Sequence, residues 1–295
     1  MRSNLQVVTI LLAAALLLPS AASAQTAIGV QPNAIILEGA PGEEITQELR
    51  IDNPAGTTLI LDMYPGDWTY DGIGDPAYYP PGTLEESAAD WLSFSSGQLT
   101  LDGSSSLRTT YTVSVPEDAA PGTHWAALFV EGNDPTERNP NALTSFNIRT
   151  AHMVYVNVLP LEQGGEIAGI IGNPPETPAN PYVFQLDYVN HGNAVQILNG
   201  MVEIRTLDGT VAETIPVERQ LALPGMVKPL RLQLYGPLEA GEYLALALLN
   251  YGDHSLDVAA EYMFEVPFEL AGPEFYFDGA RERAEQQQQQ RGAGE

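Results

Sequence analysis

The sequence predicts an all-β chain: two antiparallel β-sandwiches in tandem, set between an export signal and a polar tail. Three observations predict it. Apolar residues recur with period two through most of the chain, and clusters of Gly, Pro, Asn and Asp break that alternation at short intervals. No run of helical periodicity precedes the C-terminal tail. The length of 295 residues suits two domains of ordinary size.

The first element is expected to be cleaved from the mature chain. Arg2 supplies a positive start, "LQVVTILLAAALLLP" is an apolar run too short for a membrane span, and Ala22-Ser23-Ala24 reads as a cleavage site. Residues 1–24 are therefore expected to be a signal peptide, and the mature chain to begin at Gln25. No Cys follows the cut, which speaks against a lipid anchor there, and no later run approaches spanning length. The expected location is periplasmic or extracellular, without membrane insertion.

Residues 25–160 hold the first sandwich. In "ITQELRIDN", Ile45, Gln47, Leu49 and Ile51 share one face; in "LRTTYTVSV", Leu107, Tyr111, Val113 and Val115 do. Such alternation fits strands with one wet face. "APGEE", "NPAG", "LDGSSS" and "DAAPG" supply the turns between strands. "FNIRTAHMVYVNVLP" reads as a long strand that stops at Pro160, and "LEQGG" as a short hinge.

The plan repeats over residues 161–272. "YVFQLDYVN" puts Tyr182, Phe184, Leu186 and Tyr188 on one face. "MVEIRTLDGTVAETIPV" reads as a hairpin with a two-residue turn at Asp208-Gly209. "LRLQLYG" alternates, "GEYLALALLNYG" is nearly all apolar and is expected in the middle of a sheet, and "AEYMFEVPFEL" closes the domain. Residues 273–295 end in "ARERAEQQQQQRGAGE", a Gln-rich composition expected to be disordered.

Composition excludes several functions. With no cysteine, thiol chemistry, iron–sulfur clusters and thiolate zinc sites are out, and each sandwich must rest on its own core. The 38 acidic against 12 basic residues give a formal charge of −26, and Lys228 is the single lysine. That field repels phosphate backbones and anionic membranes, so nucleic acid is excluded as a partner. The acid excess reads first as solubility, in keeping with a saline setting, and second as attraction to a basic partner.

"PEDAAPGTHWAALFVEG" places Glu117, Asp118 and His124 close together and invites a catalytic reading. It has a twin, however, in "PLEAGEYLALALLNYG". In both, a glycine (Gly122, Gly241) precedes by two positions a large side chain with a polar tip (His124, Tyr243), and an apolar strand follows. Immunoglobulin-like sandwiches carry a tyrosine at such a corner, its hydroxyl bonded to the backbone a few residues upstream. The expectation is that His124 serves its corner as Tyr243 serves the other, that the acids are turn residues, and that Trp125 points to the opposite face.

Other chemistry is weaker. There is no G-x-S-x-G, H-E-x-x-H, Walker loop or G-x-G-x-x-G, and His124, His152, His191 and His254 lack zinc-ligand spacing. Asp67, Asp71 and Asp75 in "DWTYDGIGDP" offer oxygen to a calcium ion, but lack the order of a calcium loop; a solvated loop is the plainer reading. "AYYPPGTLEESAADWLSF" is aromatic and proline-rich, as sugar-binding faces are and as ordinary loop packing is. No carboxylate pair stands out for glycoside hydrolysis. No cofactor and no enzymatic activity is expected.

With the strands so placed, the chain resembles the PapD-like periplasmic pilus-assembly chaperones. The resemblance rests on the signal peptide, on "IGVQPNAIILEGAPGEEITQELRIDNP" as first strands, and on "LTLDGSSSLRTTYTVSVPEDAAPGTHWAALFVEG" as strands D to F. The long strand before Pro160 completes it. It implies immunoglobulin-like domains and exported, pilin-like subunits as partners, captured by lending an exposed strand G to a groove by β-augmentation. Strand G would be residues 143–159, with Phe146, Ile148, Val154 and Val156 on one face and Thr150 and His152 between them. The family grips its partner's terminal carboxylate with an arginine in the first strand and a lysine in strand G. "IGVQPNAIIL" has no basic residue, and strand G offers only Arg149, on the face opposite Phe146 and Ile148. The alternative is a structural or adhesive surface module that binds glycan or peptidoglycan through Trp68, Tyr78 and Tyr79.

Overall fold

The computed structural model describes residues 28–133, 148–252 and 257–272. The expected export signal, Phe146 and the residues from 273 onward lie outside them. Ten strands build the first sandwich: β1 (Gly29–Gln31), β2 (Ala34–Glu38), β3 (Glu44–Asn53), β4 (Leu59–Tyr70), β5 (Pro76–Tyr79), β6 (Leu92–Phe94), β7 (Gln98–Leu101), β8 (Ser105–Ser114), β9 (Gly122–Asn133) and β10 (Ile148–Val158). One sheet runs β1-β3-β8-β6; the other runs β2-β10-β9-β4-β5, with β7 beside the first half of β4. Seven strands build the second: β11 (Gly165–Asn173), β12 (Tyr182–Asn190), β13 (Gln196–Thr206), β14 (Val211–Ala222), β15 (Val227–Leu234), β16 (Gly241–Asn250) and β17 (Asp257–Val266). Its sheets run β11-β12-β15 and β14-β13-β16-β17. The chain is thus two immunoglobulin-like sandwiches in tandem. Among the described residues no helix is long and apolar enough to cross a membrane.

Period two decides both cores. Leu49 and Ile51 (β3), Tyr111 and Val113 (β8), Ala126, Leu128 and Val130 (β9), and Val154 and Val156 (β10) meet between the first two sheets. Tyr182, Phe184, Leu186 and Tyr188 (β12) face Val202 and Ile204 (β13) and Ala245, Ala247 and Leu249 (β16) in the second. Each large side chain buried this way contributes about 1.5–3 kcal/mol. Among the described strands pairing is antiparallel with one exception: β2 runs parallel to β10, from Met153↔Ala34 to Asn157↔Glu38. The chain reaches β2 by leaving β1, which pairs with β3, at Pro32. One first strand therefore serves both sheets.

A third cluster was not legible as such. Trp68, Trp125, Ala127, Phe129 and Tyr155 lie on the outer face of the β10-β9-β4 sheet and pack against Val195 and Leu223 of the second sandwich. Strand β9 is therefore buried on both faces. The Trp125 indole donates to the Trp68 carbonyl at 2.8 Å. The joint is fixed at two places. At one, the Thr123 amide donates to the Asn193 carbonyl at 2.7 Å, and the Val195 amide to the Thr123 hydroxyl at 2.7 Å. Gly122 adopts φ +133°, and a Cβ there would come within 2.9 Å of that Asn193 carbonyl oxygen, so only glycine fits. At the other, the β4–β5 hairpin meets the end of β14 and the start of β15. Tyr70 donates its hydroxyl to the Leu221 carbonyl, and the Lys228 ammonium lies 4.1 Å from the Tyr70 ring centre and donates to the Gly74 carbonyl at 3.2 Å. Burial lowers the Lys228 pKa, and the Asp75 carboxylate opposes that shift.

Two local expectations change. "DWTYDGIGDP" is not one solvated loop: β4 continues to Tyr70, residues 71–75 turn, and β5 returns. The hairpin at Asp208-Gly209 has a three-residue loop. Gly209 donates to the Thr206 carbonyl and Thr206 to the Thr210 carbonyl, with Gly209 at φ +89°. That is a type I turn closed by a glycine bulge instead of a two-residue turn.

Candidate functional site

The two corners match. Tyr243 donates its hydroxyl to the Glu239 carbonyl at 3.1 Å, and His124 Nε2 lies 2.9 Å from the Ala120 carbonyl. Both bonds reach back four residues. Because a carbonyl only accepts, Nε2 of His124 carries the proton. The ring also packs on Trp91, centroids 4.6 Å apart. His124 is a corner residue, and Trp125 points away from it into the inter-sandwich cluster.

The three aspartates do not converge. Asp67 is fully buried and accepts from the Leu84 amide at 2.8 Å and the Ser87 hydroxyl at 2.5 Å, so it organises the loop after β5. Asp71 accepts from the Ile73 and Asp75 amides, both at 2.9 Å, within its own turn. Asp75 acts on Lys228. No group of three acidic or histidine ligands suited to a metal occurs among the described residues. Of the aromatic trio set aside for glycans, Tyr78 and Tyr79 are exposed, but Trp68 is 3% exposed within the joint.

Strand β10 divides in two. From Met153 to Asn157 it is paired on both sides, with β9 and with β2. Val154 and Val156 are fully buried in the first core. The expectation that they belong to an exposed edge is corrected: β2 covers that edge, and their side chains fill the space between the sheets. From Ile148 to His152 the described residues pair β10 with β9 alone. Met153 donates its amide to the Asn33 carbonyl. By the two-residue period of a strand, the backbone groups of Ala151 and Arg149 turn the same way, where no strand of the described residues meets them. Ile148 packs on the margin of the first core, and the Thr150 hydroxyl donates to the Ile28 carbonyl at 2.8 Å.

His152 closes the open stretch. It is fully buried, with Nδ1 2.7 Å from the Pro32 carbonyl and Nε2 2.8 Å from the Tyr111 hydroxyl. The carbonyl fixes the proton on Nδ1, so Nε2 accepts from Tyr111. Burial holds the His152 pKa below its ordinary value, against the opposing bond to Pro32. The polar break in the expected donor face is thus a neutral staple at the point where the first strand changes sheets.

Arg149 is exposed on the outer face. Its guanidinium carbon lies 4.7 Å from the Phe129 ring centre and 5.5 Å from that of Tyr78. Beside it, Tyr64 donates to Glu131 at 2.5 Å. Burial, and next that bond, raise the Tyr64 pKa, while Arg149 pulls it down. A second basic group was missed. Arg219 on β14 lines a cleft of about 340 Å³ with Asn33, Ala34, Ile35, Ile36 and Leu221, where the edge strands β2 and β14 face each other. Nothing in "PVERQLAL" shows that this arginine lies beside the first strand.

No family model matches the chain, and no curated protein does. Several solved structures similar to it are fimbrial chaperones. A chain from the chaperone–tip adhesin complex of CFA/I fimbriae is 9% identical, with 79% of this chain and 97% of that one covered and a TM-score of 0.44. The class 5 fimbriae chaperone CfaA is 12% identical, with 82% and 100% covered and a TM-score of 0.42. The CupB2 chaperone of Pseudomonas aeruginosa is 15% identical, with 82% and 100% covered and a TM-score of 0.39.

Proposed function

We propose that this chain is an exported, non-enzymatic protein that holds an extracytoplasmic partner, of the pilin-subunit kind, by strand addition to the first half of β10. The observation that carries the reading is the division of that strand. From Met153 onward β2 occupies its edge, whereas Arg149 and Ala151 present backbone donors and acceptors to no strand of the described residues. Backbone pairing would supply affinity, and side-chain pockets specificity. Ile148 and, beyond the described residues, Phe146 would supply the apolar contacts. Arg149 and Arg219 are exposed basic groups near this edge of a chain with a net negative charge, placed to meet a partner's carboxylates.

The test uses exported proteins encoded beside the gene, co-expressed with the chain and recovered from the periplasm as complexes. Ala151→Pro removes one edge donor at a position where proline is tolerated, because that amide bonds no neighbouring strand. The expected result is loss of the complex with unchanged circular dichroism and thermal midpoint. Recovery of the complex with Ala151→Pro and with Ile148→Lys alike would sink the proposal.

A further inference from the structure

Strand β2 has a second edge. The Asn33 carbonyl accepts from the Met153 amide at 2.9 Å, and the Gly39 amide donates to the Asn157 carbonyl at 3.0 Å. Those bonds set the phase of the strand. The backbone groups of Ile35 and Leu37 turn to β10, and those of Ala34, Ile36 and Glu38 turn away from it. Among the described residues no strand pairs with that outward edge. The Leu37 and Ile35 side chains pack on the first core, so the edge is held in place from beneath. Proteins usually blunt such an edge with lysine, proline or a bulge. The β2 sequence "AIILE" has neither lysine nor proline, and its register with β10 is unbroken. By contrast β14 and β15, two edge strands of the second sandwich, hold Pro216 and Pro229.

The wall across the cleft bears a cation. In β14 the register steps from Val217↔Gly200 to Gln220↔Leu198, so Glu218 and Arg219 stand opposite the single residue Asn199. A bulge re-aims side chains, and Arg219 lines the cleft of about 340 Å³ with Asn33, Ala34, Ile35, Ile36 and Leu221. Among the described residues Arg50, Arg108 and Arg205 are each ion-paired to a carboxylate, whereas Arg219 is in no such pair. Ile36, exposed at its edge position, adds apolar surface. Further along β2 a second cleft of about 340 Å³ has Glu38, Glu43, Pro41 and Leu159 in its walls. Glu43 accepts from the Ala40 amide at 2.8 Å, while Glu38 is in no ion pair among the described residues. The outward edge thus runs from a free cation to a free anion.

We propose that an extended peptide segment of a partner adds to Ala34, Ile36 and Glu38 as an outer strand, with an acidic side chain at Arg219 and a basic one at Glu38. Backbone pairing supplies the hold, and the two charges set the sequence preference. Arg219 lines the cleft beside the edge and not beyond its end, so the acid it meets is a side chain of the added strand rather than a chain terminus. The site stands apart from the open half of β10 and does not rest on capture there.

The test is fluorescence anisotropy of the purified mature chain with a labelled, end-blocked peptide, Thr-Val-Glu-Val-Thr-Val-Lys-Val-Thr, alongside amide exchange read by NMR. Its acid and base have the spacing of Ala34 and Glu38 on β2. In the free chain the Ala34, Ile36 and Glu38 amides are expected to exchange quickly, and the peptide is expected to slow them. Arg219→Glu should weaken this peptide about tenfold and favour a counterpart with lysine in place of its glutamate. Ile36→Pro removes one outward donor and no bond to β10, so it should abolish binding with unchanged circular dichroism. Ala151→Pro should leave the peptide bound. Slow exchange at the outward amides of the free chain would show the edge already covered, by this chain or a second copy, and would overturn the proposal. So would equal binding by Arg219→Glu, binding retained by Ile36→Pro, preference for a peptide whose only carboxylate is its free end, or loss of the peptide with Ala151→Pro.

Discussion

Strands β9 and β16 are counterparts: each follows a corner glycine and a backbone-bonded ring, and each runs through the middle of its sheet. Their outer faces differ. That of β9 carries Trp125, Ala127 and Phe129 and is sealed by the second sandwich, while that of β16 carries Leu244, Leu246 and Leu248 and has no sandwich upon it. Apolar composition therefore marks both strands alike, and only tertiary context separates a surface already used from one still available.

The largest way to break this contrast is Trp125→Ala. Loss of a fully buried indole at the joint is expected to cost about 3–5 kcal/mol in urea unfolding, against less than about 1 kcal/mol for Leu248→Ala on the open face. Next is Lys228→Met. Removing the ammonium from the Tyr70 ring and the Gly74 carbonyl should weaken the joint by up to about 2 kcal/mol. Calorimetry is then expected to resolve two unfolding transitions in the variant and one in the parent.

A pH series sharpens the comparison within β10. His152 is held neutral by burial, with its folded pKa below the ordinary 6.5. The unfolded chain thus takes up a proton first, so the stabilisation is complete above that ordinary value and is lost as pH falls below it. Denaturant midpoints should drop on acidification past 6.5, with a shallower drop in His152→Gln. The smallest expected effect is at the corners. Tyr243→Phe and His124→Phe each remove one backbone bond and should each cost about 1 kcal/mol. Similar values at the two sites would confirm their equivalence; a neutral His124→Phe would end it.

Much of this was legible because period-two alternation is a local property. Leu49 and Ile51, Tyr111 and Val113, and Tyr182 to Tyr188 could be assigned inward from their neighbours alone. The corner pair was legible because its bond spans only four residues. Trp68 was misplaced because its cover, Val195 and Leu223, lies more than a hundred residues away in the sequence and becomes visible only once the sandwiches dock. The signal that was available is in "HWAALFV", where alternation fails because both faces of the strand are dry. Val154 and Val156 were placed on a free edge for a related reason. Parallel pairing of β2 with β10 joins residues far apart in the sequence, and no turn announces it.

The contact between Gly122 and Asn193 has a consequence for binding thermodynamics. The angle between the sandwiches is held there by main chain against main chain, with the Thr123 amide on the Asn193 carbonyl and no room for a side chain. Main chain of this kind has no rotamers to exchange. A ligand entering the cleft between β2 and β14 would meet walls already at their final separation, so little ordering entropy would be subtracted from its affinity.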